Sequence, residues 1–103
     1  MVTYPIHIKR DHYGGRDTKK RQKNADRNRI ASELEEYINQ RLLKQEASVQ
    51  VYDFADIARA TGYSIDVVSG LGYSIDGGSN GFTAWKHGMT YDAAIAANSA
   101  STD

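Results

Sequence analysis

One glycine limits most what this chain can become. Gly62 stands between two short segments whose apolar residues recur at helical spacing: Phe54, Ile57, Ala58 and Thr61 before it, and Ile65, Val68 and Leu71 after it. Offsets of three, four and seven in the first set, and three and six in the second, put each set on one side of a helix. Glycine reaches the positive φ of a tight helix-ending turn without steric cost. The two helices must therefore fold back on one another at residue 62, leaving the outer side of residues 64–70 in solvent. Asp53 and Ser64 occupy the two N-cap positions, where a side-chain oxygen can accept the unpaired amides of the first turn. The second helix is expected to end near Gly70 and Gly72.

The flanking patterns are read the same way. From Asn24 to Glu46 there is no glycine or proline, and Ile30, Leu34, Tyr37, Ile38 and Leu42 form one stripe opposite Glu33, Glu36, Asn39 and Gln40. This predicts an amphipathic helix of about 35 Å, long enough to project from so small a body or to pair with a second copy. Residues 48–52 alternate polar and apolar, as a short strand does. Tyr73-Ser74-Ile75, the turn-forming run 76–81 and Phe82 to Trp85 together predict a β-hairpin, with Tyr37 and Tyr73 in the core and Trp85 as an anchor. Thr90 caps a last short helix, Tyr91 to Ala97, and 99–103 is a frayed tail. The pentapeptide Gly-Tyr-Ser-Ile-Asp occurs at 62–66 and 72–76. The first copy is expected at a helix start and the second in a strand, too closely spaced to be a repeat unit.

Charge is distributed unevenly. Residues 1–29 hold nine Lys/Arg against three Asp, and residues 30–103 hold four against ten acidic groups, so a formal net charge of zero conceals a basic arm on an acidic body. Such asymmetry points to a polyanion partner, or else to a solvated tail that keeps the chain soluble. With Pro5, Gly14 and Gly15 in it, the stretch 1–23 reads as a short extended piece at Tyr4 to Ile8 followed by a partly flexible linker, and 24–98 as the folded domain.

The order helix, strand, helix, helix, hairpin resembles the winged helix-turn-helix family of DNA-binding domains. The resemblance extends to the bihelical unit, where that family has a small residue in the first helix, a glycine in the turn four residues later, and apolar residues six and nine beyond the glycine. Ala58, Gly62, Val68 and Leu71 stand at those places. The resemblance covers roughly residues 30–86 and implies a mainly α fold of order α-β-α-α-β-β plus a short C-terminal helix. It implies further that the second helix meets base edges in the major groove through Ser64, Asp66, Val67, Ser69 and Gly70, and that Ser79 and Asn80 of the wing loop lie along phosphates. None of the five is Arg, Lys, Asn or Gln, the side chains suited to bidentate reading of guanine or adenine, and Asp66 repels phosphate. The electrostatic attraction falls to Lys9, Arg10, Arg16, Lys19, Lys20, Arg21, Lys23, Arg27 and Arg29, as an arm along the backbone or in a minor groove.

Other chemistries find little support. Without cysteine there is neither a disulfide nor a thiolate zinc site, and His7, His12 and His87 lack the i, i+4 partner of a helical zinc pair. No serine has a plausible base beside it, and no glycine loop carries the lysine of a phosphate cradle, so no enzyme, metal or cofactor is expected. No apolar run approaches the roughly 20 residues that cross a bilayer, nor does the N-terminus resemble a signal peptide. The expectation is a cytoplasmic regulator of the phage or plasmid kind that binds double-stranded DNA as a homodimer. Its seam would be the apolar stripe of the 24–46 helix with the 90–97 helix. The rival expectation is a winged module that grips another protein.

Overall fold

The computed structural model describes residues 1–100. Helix α1 spans Thr18–Leu43, strand β1 Val49–Asp53, helix α2 Phe54–Thr61, helix α3 Ile65–Asp76, strand β2 Gly81–Trp85 and helix α4 Tyr91–Ala100. The fold is mainly helical with a small two-stranded antiparallel sheet.

The turn at Gly62 forms as its neighbours require. Gly62 takes φ 81°, and its N–H closes α2 on Ala58 O at 2.9 Å. Ser64 caps α3 by accepting from Val67 N at 3.2 Å. Asp53 stands at the N-cap of α2 with extended backbone, but its side chain makes no capping hydrogen bond. The amide of Phe54 instead donates to Asn80 O at 2.9 Å, tying the start of α2 to the loop that follows α3.

α3 differs most from expectation. It runs through Gly70 and Gly72 to Asp76, and Gly77, at φ 76°, ends it. Residues 73–75 are thus helical, and no hairpin follows α3 among the described residues. The reason lies at Gly72. A Cβ there would sit 2.5 Å from Cε1 and Cζ of Phe54, whose ring is 1% exposed and fills the space over the bare helix backbone. That packing offsets the roughly 1 kcal/mol by which glycine disfavours a helix interior. Val68, Leu71 and Gly72 are buried and Ile75 packs against the core, whereas Tyr73, expected inside, is 60% exposed. The second Gly-Tyr-Ser-Ile-Asp is therefore the last turn of a helix, not a strand.

With no hairpin partner, β2 pairs with β1, from Val49↔Trp85 to Asp53↔Gly81. On its other side it takes in Val2, which donates to Thr83 O at 3.0 Å and accepts from Trp85 N at 2.9 Å. The order is α-β-α-α-β-α, with the chain's own start at the place beside β2 that a wing strand was expected to fill. Trp85 is an anchor, as expected. Its Nε1 donates to Met89 O at 3.2 Å and its ring meets Tyr91 edge-on at 5.5 Å.

The first residues are likewise not a loose arm. Ile6 and Ile8 are 4% and 3% exposed in the core. The strap they belong to runs antiparallel to α1 and is held by helix side chains. Asn39 accepts from Ile6 N and donates to Ile6 O at 2.8 and 3.1 Å. Glu35 accepts from Ile8 N at 2.8 Å, and Asn28 accepts from Asp11 N and donates to Asp11 O at 2.9 and 2.8 Å. Asn28, Glu35 and Asn39 lie at offsets of seven and eleven, one polar line beside the apolar stripe.

Capped by Asp17, whose carboxylate accepts from Lys20 N at 3.1 Å, α1 starts six residues before the expected Asn24. Lys, Arg and Gln are good helix formers even where no apolar stripe advertises them. It ends at Leu43. Gln45 turns inward, 6% exposed, donating to Ala47 O and Ala84 O and accepting from the Tyr52 hydroxyl.

Ala31, Leu34, Ile38 and Leu42 are the buried residues of α1, and its first two turns stand clear of the body. The dimensions, 57 × 24 × 20 Å with a radius of gyration of 15.7 Å, record that overhang. A chain of this length at ordinary density has about 13 Å. Because the stripe is spent inside the monomer, the α1 half of the expected dimer seam is not available, while α4 buries Ala94 and leaves Tyr91 49% exposed. α4 reaches Ala100, and only 101–103 of the expected tail lie outside the described residues.

Candidate nucleic-acid interface

The outer face of α3 carries fewer readers than the sequence assigned it. Ser64 and Asp66 are exposed in its first turn, and Gly70 is exposed farther along. Val67 is half-buried and packs against the core. The hydroxyl of Ser69 is committed to Ser79 O at 2.6 Å. In exchange the face shows two residues expected inside, Ile65 at 52% exposure and Tyr73 at 60%. The buried residues of α3 are Val68, Leu71 and Gly72, and Phe54 of α2 lies against Gly72.

The loop between α3 and β2 is a tight brace. Ser79 O is held by α3 and Asn80 O by α2, and a Cβ at Gly78 would lie 2.6 Å from Gly81 O. Ser79 and Asn80 keep their side chains exposed beside α3.

The nine cations of the first 29 residues divide in two. Arg10 is fastened to the body, donating to Ser32 Oγ at 3.1 Å and pairing with Glu35 at 3.2 Å. Arg27 pairs with Asp11 at 3.0 Å and Arg29 with Glu33 at 3.3 Å. The side chains of Lys9, Arg16, Lys19, Lys20, Arg21 and Lys23 have no partner among the described residues, and all are exposed. Four of these stand on the overhanging turns of α1. The sole acid among residues 18–29, Asp26, is held by Gln22 Nε2 at 3.0 Å.

Where α1 leaves the body it passes α3. Lys9, Asp11 and Arg27 line a hollow of about 150 Å³ with Gly70, Leu71, Tyr73 and Ser74. A Cβ at Gly70 would lie 3.8 Å from Arg27 Nη2, and Lys9 N donates to Ser74 Oγ at 3.0 Å. Part of the basic segment thus adjoins the exposed side of α3. The polar line of Asn28, Glu35 and Asn39 is what sequence reasoning missed, and its spacing beside the apolar stripe is the signal from which a docked strap could have been read.

Titration follows the same geometry. Burial pushes the Glu35 carboxyl up, but the Ile8 amide, Arg10 and His7 outweigh it and hold it below the ordinary 4.5. Tyr63 donates to Glu33, which raises its phenol above the ordinary value.

Among the described residues no group of three or more His, Cys, Asp or Glu is placed to hold a metal ion, and no helix is long and apolar enough to cross a membrane. No protein-family model matches the chain, and no curated protein and no solved structure matches it either.

Proposed function

We propose that this chain is a double-stranded-DNA-binding regulator of the winged helix-turn-helix kind, acting in the cytoplasm as a homodimer, in which the segment at Val2, bridged to β2, stands in for the wing. The reading rests above all on six cations unpartnered among the described residues, four of them on one free-standing stretch of helix and one, Lys9, beside α3, together with a bihelical unit that has Ala58, Gly62, Val68 and Leu71 in the family's places. Exposed cations with no internal partner cost nothing to bring against phosphate, whereas those tied to Glu35, Asp11 and Glu33 must first exchange partners. With the α1 stripe used internally, the outer edge of β1 offers a surface for a two-fold pair: among the described residues its strand partner is β2, and Val51 is 67% exposed.

The test is fluorescence anisotropy of a labelled random-sequence duplex against the full chain. Affinity is expected to fall by orders of magnitude between about 50 and 200 mM salt. Replacing Lys19, Lys20, Arg21 and Lys23 together by Gln is expected to flatten the log–log salt slope by about 2 or more. Substitution is preferred to deleting residues 1–23, because deletion would remove Ile6 and Ile8 from the core. Salt-independent or absent binding would overturn the reading. The second reading, a module that grips another protein, is favoured by one observation: α3 exposes Ile65 and Tyr73 rather than base-reading side chains.

A further inference from the structure

The inward stripe of α1 changes chemistry where the helix leaves the body. Over the body it is Ala31, Leu34, Ile38 and Leu42, all buried. Continued toward the start of the helix at the same spacing, it is Lys20, Lys23, Asn24 and Arg27, at offsets of zero, three, four and seven from Lys20. A helix turns about 100° per residue, so these eight positions share one direction. The face that is apolar against the core is therefore cationic beyond it, and it looks across toward the side of the molecule on which the body lies.

At the corner where overhang meets body, Arg27 stands against Gly70 of α3 in the hollow it shares with Lys9, Tyr73 and Ser74. A concave corner with cations on the overhanging wall has the shape and charge to receive one phosphodiester strand of a duplex. Among the described residues the one acid lining it is Asp11, which pairs with Arg27 at 3.0 Å, both groups being about half exposed, at 54% and 47%.

We propose that duplex DNA seats in this angle, its backbone held on the inward side of α1 by Lys20, Lys23 and Arg27, with Asn24 as the uncharged side chain of that stripe free to read a base edge. This rests on the DNA-binding reading above and adds a direction to it. The unpartnered cations to either side of that stripe, Lys19 and Arg21, contribute only diffuse attraction. Asp11 competes with phosphate for Arg27. Its strap is held through its backbone amide and carbonyl, so its carboxylate can be neutralised without undocking the segment.

A charge-matched comparison tests the placement. Lys20→Gln with Lys23→Gln, and separately, as the outward pair, Lys19→Gln with Arg21→Gln, each remove two unpartnered positive charges from exposed positions of one helix. Circular dichroism melts of both are expected to match the unsubstituted chain. With a labelled duplex at about 100 mM salt, the inward pair is expected to weaken binding roughly ten- to hundredfold and to flatten the salt slope by about two. The outward pair should change affinity no more than about threefold, and Asp11→Asn is expected to tighten binding. Equal losses from the two pairs, or no gain from Asp11→Asn, would overturn the placement while leaving DNA binding intact. A native chain that binds no duplex in a salt-dependent way would overturn both.

Discussion

The same five residues, Gly-Tyr-Ser-Ile-Asp, occur twice ten positions apart and do different things at each place. In the first copy Gly62 is left-handed at φ 81° with nothing within 4 Å of where a Cβ would be, and Ser64 caps a helix. In the second, Gly72 is inside that helix with Phe54 filling its missing side chain, and Ser74 accepts from Lys9 N and donates to Leu71 O. Ile65 is 52% exposed and Ile75 packs against the core. Asp66 is exposed, while Asp76 pairs with the amino terminus at 2.9 Å. One glycine is present for its backbone and the other for the space it leaves. A local sequence therefore specifies a menu, and the neighbours choose from it.

Substitutions should separate the two copies. The largest effect is expected from Gly72→Ala, since its Cβ would press on a ring with no room to retreat. Overpacking should destabilise the fold by about 2 kcal/mol and lower Tm by roughly 10 °C, although alanine is the better helix former. A melt unchanged or raised would mean that Phe54 does not rest on Gly72. Gly62→Ala meets no atom, so its cost is that of left-handed backbone alone, about 1 kcal/mol by urea unfolding, and Gly62→Asn should recover part of it. Equal losses from Ala and Asn would count against a left-handed turn.

The serines should differ in the same sense. Ser64→Ala removes an N-cap and should cost about 1 kcal/mol, whereas Ser74→Ala, losing one exposed bond to the strap, should cost about 0.5 kcal/mol or less. Reversal of that order would place the cap elsewhere. The smallest effect is that of acid. Because the Glu35 carboxyl is held below 4.5 in the folded chain, its contribution is complete above 4.5 and lost as pH falls through the lower folded value. Below pH about 4.5, amide shifts of Ile8 and Lys9 should move together as the strap loosens, while Val67, which reports the first copy's cap, stays put. A simultaneous shift of all three would show that acid acts on the whole fold.

Much of the backbone was legible because its signals are local. The capping hydroxyl of Ser64, the turn at Gly62, the strand at 49–53 and the helix after Thr90 each depend on residues within a turn or two. The hairpin was misread because Tyr73-Ser74-Ile75 has the composition of a strand, and nothing near it announces that Phe54 stabilises the helix instead. Of the proposed site, the cations were legible as a charge excess. Which of them are free depends on Asp11, Glu33 and Glu35, and the ion pairs to Asp11 and Glu35 depend on how the strap runs beside α1.

By itself, then, the sequence determined the helical stripes, the break at residue 62 and the lopsided charge, because periodicity, φ preference and formal charge belong to residues wherever they are placed. The tertiary structure alone decided that β2 pairs with β1 and with Val2, that Ile6 and Ile8 enter the core, and that one face of α1 passes from apolar to cationic as it leaves the body. Those outcomes come from contacts between residues far apart in the chain, whose free energy exists only once the partners have met.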